Sequence, residues 1–417
     1  MSFADQLFAA YPHPTHCVTW RQALLRALPD IDRYDQTPSR SLFNMATPKR
    51  KIVIDTDVGT DDAVALLSLL KSTNCEVQAI TTVDGNTSLA DVIANTSVLL
   101  AIESEKYGHI PIYVGAKGPL IQAEGAEKLY WDGHGKDGFG NSRAIYEAEI
   151  ADIIANVDVR DEHAASALVR MCKAERGMTL VAIGPLTNVA LAIRLDPNFL
   201  TYIDKVYIMG GSLLGKGNAT RAAEFNFACD PEAAHVVFTS SSKLSVPGQD
   251  PKIVLAPWEL TLDNALSWDT IDYISDPAKH ADHPWAKLMY RIMSPLRTAG
   301  RTPKHLEAVA RATSIPPRHD FHAPDFGTDR EAEWDSYYVT IPDMCATFAI
   351  TIPECIEKSI KVHAEIELAG TMTRGMMCLK WHSYSDARTL PANCTILTHL
   401  NLDMMDAELR RITSKDA

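Results

Sequence analysis

Four aspartates fall within eight residues, Asp55, Asp57, Asp61 and Asp62, in the run Lys-Ile-Val-Ile-Asp-Thr-Asp-Val-Gly-Thr-Asp-Asp-Ala from Lys51 to Ala63. Carboxylates packed this tightly repel one another and shift towards protonation unless a cation holds them. The loop offers hard oxygen ligands, with no His or Cys, which favours calcium or magnesium over zinc. Capping of a helix N-terminus accounts for one or two Asp at such a place, but poorly for four around Gly59. Ile52-Val53-Ile54 before the cluster reads as a buried strand, and Ala63 to Leu70 after it as a helix. The carboxylates therefore sit on a strand-to-helix turn, the ligand-binding edge of an α/β sheet.

Further polar clusters follow other apolar runs. Asp84-Gly85-Asn86 comes after Ile80-Thr81-Thr82, and Gly184-Pro185-Leu186-Thr187-Asn188 after Val181-Ala182-Ile183. Gly210-Gly211 follows Val206 to Met209 and leads into Asn218 to Asn226, which includes Glu224-Phe225-Asn226. In a parallel sheet such loops converge on one edge. Asn and Glu side chains gathered there can hold the hydroxyls of a sugar through paired donors and acceptors. A single Asn-Gly or Gly-Gly turn is as readily structural; the convergence carries the argument.

The elements that must position these loops alternate along the chain. Strands are expected at Val77–Thr82, Ile110–Val114, Thr179–Ile183, Lys205–Met209 and Lys252–Ala256. Helical spacing occupies Ala90–Glu105, Ala164–Ala174, Asn188–Leu195 and Pro231–Phe238. This alternation predicts a doubly wound, mostly parallel α/β sheet with helices on both faces. Two more strands, Ser359–Glu367 and Gly375–Trp381, and a helix over Leu402–Thr413 are expected towards the end. The Pro-rich stretch 295–341, with Trp334, Tyr337 and Tyr338, reads either as a lid insertion over the site or as a surface excursion. Residues 1–48 include Pro12, Pro14, Pro29 and Pro38 and no signal-type apolar core. They are expected to be a weakly ordered or peripheral N-terminal extension, with 49–417 the catalytic domain.

Bulk properties bound the partners. A net charge of −13 over 417 residues argues against a nucleic-acid partner. The eight cysteines lack C-x-x-C spacing, as expected of reduced thiols in a cytoplasmic protein. No apolar run is long enough to span a bilayer.

The Asp55 to Ala63 run closely resembles the signature of the nucleoside hydrolases, the inosine–uridine-type nucleoside N-ribohydrolases. The resemblance continues through Gly85-Asn86, His134-Gly135-x-x-Gly138, Gly184 to Asn188, Met209-Gly210-Gly211, Asn218 to Asn226, Asp230-Pro231-Glu232-Ala233-Ala234 and Leu368 to Gly375. It implies a nucleoside hydrolase-like fold and calcium-dependent hydrolysis of ribonucleosides to free base and ribose. Carried over residue by residue, it implies calcium held by Asp55, Asp62, the backbone oxygen of Ile183, and Asp343. Asp55 would also be the catalytic base, and Asp57 would fix the loop. Asp61, Asn86, Asn218, Glu224 and Asn226 would hold the ribose hydroxyls. A homodimer or homotetramer is the implied assembly.

One departure bears on the leaving group. Members acting on both purines and pyrimidines commonly have His immediately before the downstream ligand Asp, whereas this chain has Pro342 before Asp343. Proline cannot donate a proton, so help for the departing base must come from the lid, from ordered water or from the base's own basicity; His134 or Tyr337 could replace the acid, and His134, Tyr130 and Trp131 could border the base. Purine nucleosides, which stack broadly and accept a proton at N7, are therefore the expected preference. Two competing readings are a haloacid-dehalogenase-like phosphatase, suggested by Asp55-Thr56-Asp57, and a ribose-binding protein without turnover.

Overall fold

Strand β1 (Arg50–Thr56) explains its own position: Ile52 and Ile54 point into one hydrophobic cluster and Val53 into another on the opposite face. Such two-sided burial is what a continuous apolar run in a parallel sheet requires. The computed structural model describes residues 49–122, 128–129, 132–276, 283–294, 338–381 and 390–414. Residues from 48 onward cluster as one unit.

The central sheet has nine strands. β2 (Cys75–Thr82), β3 (Ile112–Val114) and β4 (Val159–Arg160) run outward on one side of β1, all parallel. On the other side stand β5 (Met178–Ala182), β6 (Ile203–Met209) and β7 (Ile253–Ala256), again parallel. Two small ladders lie apart: β8 (Leu266–Ser267) with β9 (Tyr338–Val339), and β11 (Ala364–Ile366) with β12 (Met377–Leu379). The long strand expected at Ser359–Glu367 breaks at His363: β10 (Ile356–Val362) stays in the main sheet as an antiparallel edge and β11 leaves it. Asn393 sits at the break, accepting from Ala364 N–H and donating to Ala364 O. β13 (Cys394–Leu400), which sequence reading missed, joins β10 to β7.

The strand order is β10-β13-β7-β6-β5-β1-β2-β3-β4. The chain winds one way from β1 to β2 and the other way from β5, so β1 and β5 flank the switch point where such sheets bind ligands. On one face lie α1 (Thr60–Leu70), α2 (Leu89–Ile102) and α3 (Arg143–Ile154). The other face carries α4 (Ala164–Ala174) and α5 (Thr187–Leu195). The short α6 (Phe225–Cys229) leads into α7 (Pro231–Leu244), which packs on that same face. α8 (Trp258–Asp263) follows β7, α9 (Pro342–Thr351) packs along α1, and α10 (Leu402–Ile412) closes the described chain. Among the described residues, no helix is long and apolar enough to cross a membrane. The expected extension 1–48 and nearly all of the expected lid, with Trp334 and Tyr337, lie outside the described residues, as do Tyr130 and Trp131.

Candidate active site

Gly59 caps α1, and its N–H donates to Asp62 Oδ2 at 2.8 Å while Thr56 Oγ1 donates to Asp62 Oδ1 at 2.5 Å. Asn86 Nδ2 adds a third bond to Asp62, at 3.1 Å. From the first turn of α9, Asp343 enters the same space, and carboxylate oxygens of Asp61, Asp62 and Asp343 lie within 4.8 Å of one another. This group could hold a metal ion. Asp62 and Asp343 are buried and Asp61 stands at the rim.

Asp57 borders this group. Its Oδ2 accepts from Asn86 N–H at 2.7 Å, while its buried Oδ1 has no hydrogen-bond partner. The space around it is made by glycine: a Cβ on Gly85 would fall 2.0 Å from Asp57 Oδ2, and one on Gly184 2.8 Å from Oδ1. Burial pushes its carboxyl well above the usual range, and the charges of Asp62 and Asp61 add to that push. Asp343 is raised by burial and then by Asp61, Asp62 and Asp57. Burial lifts Asp61 and Asp62 to about 6. A buried set of mutually repelling, all-oxygen donors with an orphaned oxygen fits a hard divalent cation.

The structure does not bring Asp55 into this group. Its Oδ1 accepts from Thr81 Oγ1 at 2.5 Å and from Asn188 Nδ2 at 2.8 Å. Burial raises it to about 7, against those two hydrogen bonds. Asn188 also donates to Thr82 O and accepts from Ala116 N–H, so Asp55 belongs to a clasp joining the strand ends. The resemblance gave Asp55 the metal and Asp57 the frame; each keeps one buried oxygen without a partner, and it is Asp57 whose charge bears on Asp343. The two share a motif and a sequence environment, so only their surroundings in the fold distinguish them.

The expected sugar-binding residues lie on the same edge. Glu224 caps α6: its Oε1 accepts from Asn226 N–H at 2.8 Å, and its Oε2 from Gly211 N–H at 2.8 Å and Phe227 N–H at 3.2 Å. It is buried, which lifts its carboxyl to about 7 despite these bonds. Asn226 Nδ2 donates to Ile183 O at 3.3 Å and Met209 O at 3.2 Å, so the expected backbone ligand Ile183 is beside Asn226. Asn218 is exposed, its Oδ1 accepting from Phe225 N–H at 2.8 Å.

His134 is buried against α1. Thr60 N–H donates to its Nδ1 at 3.2 Å, with Thr60 Oγ1 2.8 Å from the same nitrogen. A ring nitrogen that accepts a backbone N–H carries no proton, so the neutral ring has its hydrogen on Nε2. Burial pushes its pKa down to about 4. An imidazolium acid at neutral pH is thus disfavoured here. Pro342 occupies the first turn of α9, where its lack of an N–H costs nothing.

The family model for inosine-uridine preferring nucleoside hydrolases matches residues 52–407. The chain belongs to this family. Its members here include the inosine-uridine preferring nucleoside hydrolase of Crithidia fasciculata, 32% identical over 66% of this chain and 89% of that one. The Leishmania major enzyme described by the same name is 29% identical over 85% and 93%. A probable uridine nucleosidase of rice is 36% identical, but the match spans 48% of this chain and 58% of its length. A solved inosine-guanosine nucleoside hydrolase superposes with a TM-score of 0.67 at 29% identity, over 87% of this chain and 98% of that one. Nucleoside hydrolases act on N-glycosyl bonds, and their mostly parallel sheet is the one found here.

Proposed function

We propose that this chain, through residues 49–417, is a calcium-dependent ribonucleoside hydrolase releasing free base and ribose, with purine nucleosides preferred. The observation that carries the reading is the carboxylate group of Asp61, Asp62 and Asp343, bordered by Asp57, at the β1/β5 switch point, with Glu224 and Asn226 on the adjoining loops. Asp57 replaces Asp55 as the proposed metal ligand and base, because both keep one unpartnered buried oxygen but only Asp57 stands among the charges of Asp61, Asp62 and Asp343. Asp62, Asp343 and the backbone oxygen of Ile183 complete the proposed ligand set. A cation bound there would supply a water of lowered pKa and neutralise the cluster. Asp57, with Oδ2 fixed by Asn86 N–H, then accepts a proton at Oδ1 as water attacks C1′.

Asp61 at the rim, with Asn86, Asn218, Glu224 and Asn226, is assigned to the ribose hydroxyls. A net negative surround stabilises the oxocarbenium-like sugar as the bond to the base breaks. Asp55 is assigned to the strand-end clasp. With Pro342 in place of a donor and His134 neutral, departure of the base relies on its own basicity and on stacking, both favouring purines. The uridine-named relatives make this preference a property to be read from this chain's own residues.

The test is steady-state base release from inosine, guanosine, adenosine, uridine and cytidine at neutral pH, with bound calcium measured. We expect kcat/KM for inosine or guanosine to exceed that for uridine by roughly tenfold or more. Equal efficiency would remove the purine preference and leave the hydrolase reading intact. Phosphate release from a phosphomonoester without base release would replace the reading by the phosphatase alternative.

A further inference from the structure

The Gly210-Gly211 turn at the end of β6 is held between two glutamates, only one of which belongs to the expected site. On one side, Gly211 N–H donates to Glu224 Oε2. On the other side Glu259, in the first turn of α8, accepts from three donors of the same turn. Its Oε1 receives Ser212 Oγ at 2.8 Å and Leu214 N–H at 2.8 Å, and its Oε2 receives Leu213 N–H at 2.7 Å. Two backbone bonds run alongside: Trp258 N–H donates to Gly211 O at 2.9 Å, and Gly210 N–H to Ala256 O at 3.2 Å.

The turn has little freedom to find this geometry by itself. Gly211 is left-handed at φ +68°, and a Cβ there would fall 2.8 Å from the Phe227 ring. Ser212 is fully buried and Leu214 is 54% exposed, so the segment climbs from the core to solvent within three residues. It then leads to Asn218, whose Oδ1 accepts from Phe225 N–H beside Glu224. A carboxylate is the side chain that suits three converging donors, because it accepts at both oxygens and donates from neither.

We propose that Glu259 is a positioning residue of the hydrolytic site: it clamps the Gly211–Leu214 turn and so keeps the Gly211 N–H on Glu224. This rests on Glu224 binding ribose, as proposed above. Without the clamp, Glu224 loses a backbone donor that fixes the rotation of its carboxylate. Glu259→Gln tests the idea, since it keeps shape but turns an N–H₂ towards N–H donors.

The expected result is a fall in kcat/KM on the best riboside of roughly tenfold to hundredfold. Calcium affinity, read by titration calorimetry, should be unchanged. The double variant Glu259→Gln with Glu224→Gln should be no worse than Glu224→Gln alone, because both act through one carboxylate. Ser212→Ala, which removes one of the three donors, should give a smaller loss of the same kind and serves if Glu259→Gln does not fold. Activity within twofold of wild type, losses that multiply in the double variant, or calcium binding that falls in step with activity would overturn the proposal. Hydrogen exchange at the Leu213 and Leu214 amides separates this from the function itself. If wild type releases no base, the hydrolase reading has failed, and unchanged exchange in Glu259→Gln then overturns the clamp as well.

Discussion

Asp55 and Asp57 are two residues apart and chemically identical, yet the fold gives them different surroundings. Each has one engaged oxygen and one buried oxygen without a partner, but Asp55 is held by Thr81 and Asn188 away from other charges, whereas Asp57 lies beside the charges of Asp61, Asp62 and Asp343. Asp55→Asn keeps an oxygen for Thr81 Oγ1, so its effect should fall mainly on stability. Asp57→Asn removes the proposed base and a proposed ligand together, and turnover should fall on the order of a thousandfold or more. Comparing the two rates on one nucleoside checks the assignment: a larger loss in Asp55→Asn would restore it to Asp55. The acidic loop was plain in the sequence because four Asp around one Gly are rarely structural. Which Asp did what was not, since the answer lies in Asn188, 133 residues further along the chain.

At the scale of elements, the loops after β1, β2 and β5 are built around the Asp57 carboxylate. Gly85 and Gly184 leave the room that Asp57 occupies. Gly85→Ala should therefore displace Asp57 while the sheet stays intact, costing about 1–3 kcal/mol of stability through overpacking. Turnover should fall by roughly a hundredfold, since small misplacement of a reacting group carries a penalty of that order. Thermal unfolding and base release measured together check this, and unchanged turnover would mean that Asp57 has no bearing on the reaction. Most strands and helices from β1 to α7 were legible from apolar runs and turn residues, with Ala164–Ala174 read end to end, but α3, β4 and the short α6 were missed. β13 and α9 were missed too. β13 pairs with β10 and β7 across long sequence separations, and α9 is buried along nearly its whole length, so neither shows a clear surface periodicity.

For the molecule as a whole, a metal-free site of uncompensated carboxylates has a stability consequence. Burial lifts Asp61 and Asp62 from near 3.8 to about 6, so the folded protein holds more protons than the unfolded chain between those values. Metal-free stability from these groups is present below about pH 4 and is lost as pH rises through about 6. At pH 7.5 Asp61 and Asp62 carry more charge than at pH 5, and a cation that neutralises them should stabilise more there; at a hundredfold excess over Kd, ligand binding adds about 2.7 kcal/mol. The rise in Tm on adding calcium to chelator-stripped protein should thus be larger at pH 7.5 than at pH 5. Equal rises at both would show that the carboxylates are not the groups that meet the ion.

The central claim is that this carboxylate group, loaded with calcium, hydrolyses the N-glycosidic bond of ribonucleosides. The most direct measurement is release of hypoxanthine and reducing sugar from inosine by chelator-stripped protein as calcium is added back. We predict negligible release without the ion, and stoichiometric base and ribose once about one calcium is bound per chain. Full release by the stripped protein, or none at saturating calcium, would contradict the account.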